Sequence, residues 1–236
     1  MRGFGWLLRR ELQYCFLTPV APVAIAVFWG ASGFFFSFNA LFVSAVDMVT
    51  AFHNMSLLLM LMLPLLTMRT LAEERQSGRL ELLLALPLGE TTIVLAKYLA
   101  LLVVLVVMLA GSTLAVVPLL LFAEPDLGPI AGGYLGVLLL GGAFAAIGLC
   151  ASSAATNQVV AATTAWGLLL LAWFIDYAAG LNPPVALARW LQHVSFSVQY
   201  RDLIRGVLSL GAVTWFVSVI VVMLVSAMQM LRWRRL

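Results

Sequence analysis

LAEERQSGRLELLLALP, residues 71–87, sits between two long apolar segments and gathers Glu73, Glu74, Arg75, Arg79 and Glu81 into one loop, with Arg69 just upstream. The concentration stands out because charge is scarce elsewhere. Of 236 residues, 10% are charged and 64% are apolar, and the mean hydropathy is +1.08. Soluble domains carry about 25% charged residues. A chain with so little polar surface cannot coat a water-exposed globule, so its solvent is largely lipid. Within the loop, Gly78 is a helix breaker and Pro87 a helix stop. Between them lie one or two helical turns, with Leu80, Leu83, Leu84 and Leu86 as apolar contacts and Arg79 and Glu81 as polar ones. Periodicity alone leaves two uses open for that helix: leucines resting on lipid at the membrane surface, or leucines filling a groove of a partner.

Working outward, six apolar runs are long enough to cross a bilayer, which takes about 20 residues. They cover approximately 20–38, 48–68, 94–121, 130–150, 159–177 and 207–230. The expected fold is an all-α polytopic membrane protein, with 1–236 forming a single transmembrane domain. The third run is long enough to tilt or project from the hydrocarbon, and Pro118 is placed to bend it.

Basic residues report orientation. Arg2, Arg9 and Arg10 precede the first span, Arg69, Arg75, Arg79 and Lys97 surround the quoted loop, and Arg232, Arg234 and Arg235 end the chain. The alternate loops carry Asp47, and then Glu124 and Asp126, with no basic residue. Both termini and the 69–93 loop are therefore expected in the cytoplasm. One segment departs from the pattern: 178–206, expected outside, holds Arg189, Arg201 and Arg205. It also has helical periodicity, in Leu187, Trp190, Leu191 and Val194 and again in Leu203, Ile204, Val207 and Leu208. Two short amphipathic helices that re-enter or line the outer interface are expected there, after a turn at Asn182-Pro183-Pro184. The N-terminal stretch has similar character. Phe4, Leu7, Leu8, Leu12 and Cys15 share a face opposite Arg9, Arg10 and Gln13, and Pro19 and Pro22 turn the chain into the first span. With charges at both ends and Glu11 between, this start does not have the form of a cleavable signal peptide.

Several chemistries lack their residues. The net charge of +3 is a dispersed arginine excess, which does not point to nucleic acid. Cys15 and Cys150 make no spaced redox or metal motif. No G-x-x-x-x-G-K-S/T loop is present, and the single lysine, Lys97, sits in VLAKYLA, so ATP hydrolysis by that route needs another chain. Ionisable groups lie at span ends or in loops, which weighs against an ion-coupled transporter or channel working through a mid-membrane relay. Gly30-Ala31-Ser32-Gly33 matches the GxSG of six-span intramembrane proteases. Its serine stands in the first span, however, and the only bases are His53 and His193, which with Asp47 also make a poor metal set. Small residues recur on shared faces in Gly132-x-x-x-Gly136, Gly141-x-x-x-Ala145 and Gly142-x-x-x-Ala146. Both close packing and a sliding helix fit that pattern. Ser152-Ser153-Ala154-Ala155-Thr156-Asn157-Gln158 reads as a tight structural turn, with Thr156 or Asn157 capping the next helix.

The loop pattern E-E-R-x-x-G-x-L-E-L-L-L-x-x-P resembles the permease subunits of ABC-2 type exporters. R-E-L-x-x-x-F-x-T-P from Arg10 to Pro19, the S-S-A-A-T-N-Q turn and S-F-S-V-Q-Y-R-D-L-I-R-G-V are similar to the gliding-motility (GldF-like) branch. The resemblance implies an N-terminal interface helix carrying Arg9, Arg10 and Glu11, a cytoplasmic coupling helix between spans two and three, and short re-entrant helices between spans five and six. It implies a non-catalytic permease in a bacterial inner (cytoplasmic) membrane, pairing with a second copy or a homologous permease. Partner cytoplasmic ABC ATPases would bind ATP and Mg, and a periplasmic or accessory membrane subunit fits the same scheme. The coupling positions carried over are Glu73, Glu74, Arg75, Gly78, Leu80, Glu81, Leu84 and Pro87, with Arg79 where the family often has Thr. On this reading the leucines fill the ATPase groove and the Glu and Arg side chains form rim pairs around it.

Overall fold

The computed structural model describes residues 2–42, 48–85, 88–115, 127–181, 184–206 and 209–233. Every regular element among them is helical. An amphipathic helix α1 (Arg2–Leu17) leads through Thr18 and Pro19 into α2 (Val20–Phe42). Pro22 falls in the first turn of α2, where a missing N–H costs no helical bond. Next come α3 (Met48–Thr67), a short α4 (Ala72–Gln76), α5 (Arg79–Ala85) and α6 (Glu90–Ser112). Then follow α7 (Leu127–Ala154), α8 (Gln158–Phe174), α9 (Val185–Val194), α10 (Phe196–Ile204) and α11 (Leu210–Trp233). Six helical stretches are long and apolar enough to span a membrane: 20–38, 48–76, 90–112, 128–154, 158–178 and 210–233.

The third span starts earlier than the 94 expected, and its expected end at 121 lies outside the described residues. It begins at Glu90, behind an extended Gly89, and its α-geometry gives way after Ser112 to a 3-10 turn over Thr113–Ala115. The hydroxyls of Ser112 and Thr113 bond back to the carbonyls of Leu109 and Ala110 at 2.7 and 2.6 Å, a contact that loosens regular helix. Pro118, Glu124 and Asp126 lie outside the described residues, as do Asp47, Leu86, Pro87, Asn182, Pro183, Val207, Leu208, Arg234 and Arg235.

The bundle is organised around α7, whose span is 78% buried against 22–28% for the spans of α2, α8 and α11. Its small residues let neighbours approach closely. A Cβ at Gly141 would lie 2.8 Å from Leu105 of α6, and one at Gly142 3.2 Å from the Tyr98 hydroxyl. That hydroxyl donates to the Gly142 carbonyl at 3.2 Å. Each small-residue face thus has a partner already seated on it.

The 178–206 segment splits its two helices between two environments. In α10, Phe196, Tyr200, Leu203 and Ile204 are buried. The Phe196 ring is 5.7 Å from Phe144, Leu203 packs on Gly136 and Gly206 on Gly132. From Gly132 to Phe144 is about 18 Å of helix at 1.5 Å per residue, so α10 runs well inside the bundle. By contrast α9 has no buried residue, and Leu187 and Trp190 face outward. Only α10 is inserted; α9 offers its apolar face to the surroundings.

Candidate functional site

Helices α4 and α5 hold the conspicuous loop against one end of the bundle. The first N–H groups of a helix need acceptors, and Leu71 at the cap position of α4 has none to give. The hydroxyl of Ser152, in the last turn of α7, accepts from Leu71 N at 3.2 Å and Ala72 N at 3.0 Å. Just past the end of α7 the Ala155 carbonyl accepts from Arg75 Nη1 at 2.8 Å. Asn157, not Thr156, caps α8, accepting from Val160 N at 2.9 Å. The stretch read as a plain structural turn therefore also anchors α4.

At the other end of α4, Ser77 and Gly78 close the helix, Gly78 N donating to the Arg75 carbonyl at 3.0 Å. Gly78 adopts φ +70°, the left-handed conformation that glycine takes at helix ends. This redirects the chain into α5. Leu80 joins the main core, while Leu83 packs with Leu7 of α1 and Ile93 and Ala96 of α6. Leu84 is half-buried, and Glu81 and Leu82 point outward, Leu82 being 72% exposed.

The acids of α4 turn inward. Lys97 of α6, 1% exposed, donates from Nζ to Glu11 Oε2 of α1 at 3.0 Å and lies 2.8 Å from Glu74 Oε2 of α4. Glu11 and Glu74 are themselves only 5% and 7% exposed. An unpaired buried charge costs several kcal/mol, so a lysine in an apolar helix requires such partners. Two carboxylates around one ammonium leave a surplus negative charge, which Arg10 Nη2 offsets from 3.8 Å on Glu74 Oε1. Glu73 is the second hub. It accepts from Tyr14 Oη at 2.9 Å and pairs with Arg69 at 3.2 Å and Arg79 at 3.4 Å. The Arg79 guanidinium also stands over the Tyr14 ring, 5.8 Å from its centroid. Burial, and then the bond to Glu73, hold the Tyr14 phenol above its ordinary range. Burial, with Glu11 nearby, pushes the Cys15 thiol up to about 11.

The loop's acids Glu73 and Glu74 turn toward the bundle, while Arg75, Arg79 and Glu81 are exposed. Glu73, Glu74, Arg75 and Arg79 all have intramolecular partners. Among the described residues, Glu81 alone of the loop's charges has none. On α1, Arg9 is exposed and Arg10 reaches inward, while Glu11 belongs to the buried face together with the expected Leu7. Lys97, Tyr14 and Ser152 were absent from the predicted site. A lone lysine one turn or two into an apolar helix was the available signal for the first; nothing in the local sequence marks the other two.

The remaining candidates do not assemble. Ser32 Oγ donates to the Trp29 carbonyl of its own helix at 3.2 Å, and the His53 ring lies tilted against Trp173, 5.9 Å between centroids. Among the described residues no group of three or more His, Cys, Asp or Glu is placed to hold a metal ion. One end of the molecule thus collects α1, α4, α5, the start of α6 and the turn after α7. A cleft lined by Glu90, Thr91 and Arg232 brings the last turns of α11 to the same end.

Comparison with known families agrees with this architecture. The profile described as ABC-2 family transporter protein matches residues 31–233, which takes in all six spans except the first part of α2. No curated protein matches the chain. A match over most of the chain, on six apolar helices, shows that this multi-pass membrane protein belongs to the ABC-2 transporter family.

Proposed function

We propose that the chain is the permease subunit of an ABC exporter and that α5 is its coupling helix, the element on which a separate ATPase pushes. The observation that carries this reading is the division of α5 into two faces. Leu80 and Leu83 are buried against the bundle, while Leu82, 72% exposed, stands at the charged end beside Glu81. A leucine so exposed at a bundle end rich in polar groups fits an apolar socket on a partner, with Glu81 at its rim. The ion pairs to α1 and Lys97 suit the other half of the task. They join α1, α4 and the base of α6 into one unit that a push on α5 would displace together.

On this reading the charged end faces the cytoplasm, with both termini there and the membrane being a bacterial inner membrane. ATP and Mg are bound by the ATPase, and a second permease copy or a homologous permease completes the assembly. The loop, N-terminal and late-loop motifs favour the gliding-motility branch, in which a periplasmic or accessory membrane subunit would be a further partner. The cargo is set by the assembled pathway.

The test is co-purification of the cognate ATPase from the native membrane. Leu82→Asp should cut its recovery more than about tenfold, since a charge in an apolar socket costs at least 1.4 kcal/mol, while monodispersity of the permease stays intact. Undiminished recovery and undiminished ATPase stimulation would remove α5 from the docking surface. Glu73→Ala with Glu74→Ala tests something different, because these side chains face inward: the expected result is a less stable permease rather than a selective loss of docking.

A further inference from the structure

At the end of the bundle opposite the charged loop, α3, the end of α8 with the 3-10 segment Ile175–Leu181 after it, and α10 border an open cleft of about 540 Å³. This is within the 300–1,000 Å³ range of small-molecule sites. Trp173, Phe174 and Tyr200 form aromatic walls, and Asp176, Arg201 and His53 bring polar groups to them. The walls are stiff. Trp173 is ring-packed on His53, Phe144 and Tyr200 at 5.9, 6.3 and 6.2 Å, and Tyr200 Oη donates to the Phe52 carbonyl at 2.9 Å. Asp176 is oriented by the fully buried Ser195, whose hydroxyl donates to its Oδ1 at 3.1 Å, with Ser197 Oγ 3.2 Å further along.

The unusual feature is the pair of opposite charges. Asp176 and Arg201 line one cleft, yet no ion pair within 4.0 Å joins them to each other or to any other described residue. Arg201 also belongs to the segment whose arginines break the alternation of basic and acidic loops. A purely anionic ligand would face the carboxylate, and a purely cationic one would face the guanidinium. An apolar occupant would strip water from both charges without compensation, at a cost of several kcal/mol. A group carrying both charges satisfies both, with the aromatic faces adding cation–π attraction for its ammonium. The surroundings favour a lipid as the source. Leu57 and Phe174 of the cleft are 38% and 47% exposed, and on the same two helices Leu61 and Leu171 continue outward at 56% and 68%, an apolar path for acyl chains.

We propose that this cleft binds the headgroup of a zwitterionic phospholipid, the ammonium at Asp176 and the phosphate at Arg201. The site is independent of ATPase coupling, so it can be tested on the purified full chain in detergent. Native mass spectrometry would titrate three probes: dioleoyl phosphatidylethanolamine, dioleoyl phosphatidylglycerol and the soluble headgroup glycerophosphoethanolamine. The expected result is preferential binding of the phosphatidylethanolamine. Arg201→Gln should weaken both lipids about tenfold, as expected for one charge-assisted hydrogen bond. Asp176→Asn keeps an acceptor for Ser195, so the start of α10 stays anchored, but it should abolish the preference for phosphatidylethanolamine over phosphatidylglycerol. Equal binding of the two lipids by the wild-type chain, or a preference untouched by both substitutions, would overturn the proposal. Binding of glycerophosphoethanolamine as tight as the lipid would support the zwitterion site while assigning it to a soluble ligand.

Discussion

Lys97 is the residue on which three separate helices depend. Its ammonium meets Glu11 of α1 and Glu74 of α4 from within α6, and all three side chains are under a tenth exposed. Removing one member of a buried ionic cluster strands the others, at about 3–5 kcal/mol, whereas replacing the whole cluster with neutral groups is often close to neutral. Lys97→Met should therefore lower the thermal midpoint of the detergent-solubilised protein steeply. Adding Glu11→Gln and Glu74→Gln should recover most of that loss. A Lys97→Met variant as stable as the wild type would mean that the cluster does not hold α1 in place. The comparison also separates structure from coupling: the neutral triple variant tests whether transmission needs the ion pairs themselves or only the packing around them.

At the scale of the element, the α4–α5 turn hinges on Gly78. Its φ of +70° costs a residue with a Cβ roughly 1–2 kcal/mol. No atom would obstruct a Cβ there, so the penalty is conformational alone. Gly78→Val, a β-branched residue, should destabilise by about that amount and misdirect α5, reducing any partner contact made through Leu82. Gly78→Asn, which tolerates the left-handed region, should be nearly silent. Equal thermal midpoints for the two variants would show that the turn has another conformation open to it. The opposite case is α9, which is strongly amphipathic yet buries nothing. Periodicity found the helix, but amphipathicity cannot say whether the apolar side meets protein, lipid or a second chain.

Across the whole molecule, association of the spans rests on close packing, because lipid tails are as apolar as leucine and supply no hydrophobic drive between helices. The contact of α10 with α7 shows the tolerance. A Cβ at Gly132 would come within 2.9 Å of the Gly206 Cα, a backbone atom that cannot rotate aside. Gly132→Val should lift α10 from α7, expose the 195–206 segment to faster hydrogen exchange and lower folded yield. Unchanged exchange there would mean that α10 is held by its aromatic contacts alone, through Phe196, Trp215 and Phe216. The same substitution would also open the zwitterion cleft, one wall of which is α10.

Much of this was determined by the sequence by itself. Long apolar runs oblige the backbone to satisfy its own hydrogen bonds in lipid, which leaves the helix as the structure each run can form, and Gly78 punctuated the loop at the residue where the chain turns. The charged residues of 71–87 were legible as a cluster, but their direction was not. Whether Glu74 reaches out to a partner or in to Lys97 depends on which helix ends meet, and those ends are 23 residues apart in the chain for Lys97 and 63 for Glu11. Only the tertiary structure decided that. The same holds for Ser152 as the cap of α4 and for Asp176 and Arg201 lining one cleft. Periodicity is a property of one segment, whereas ion pairs, caps and clefts are made between segments, where the outcome is set by packing in three dimensions.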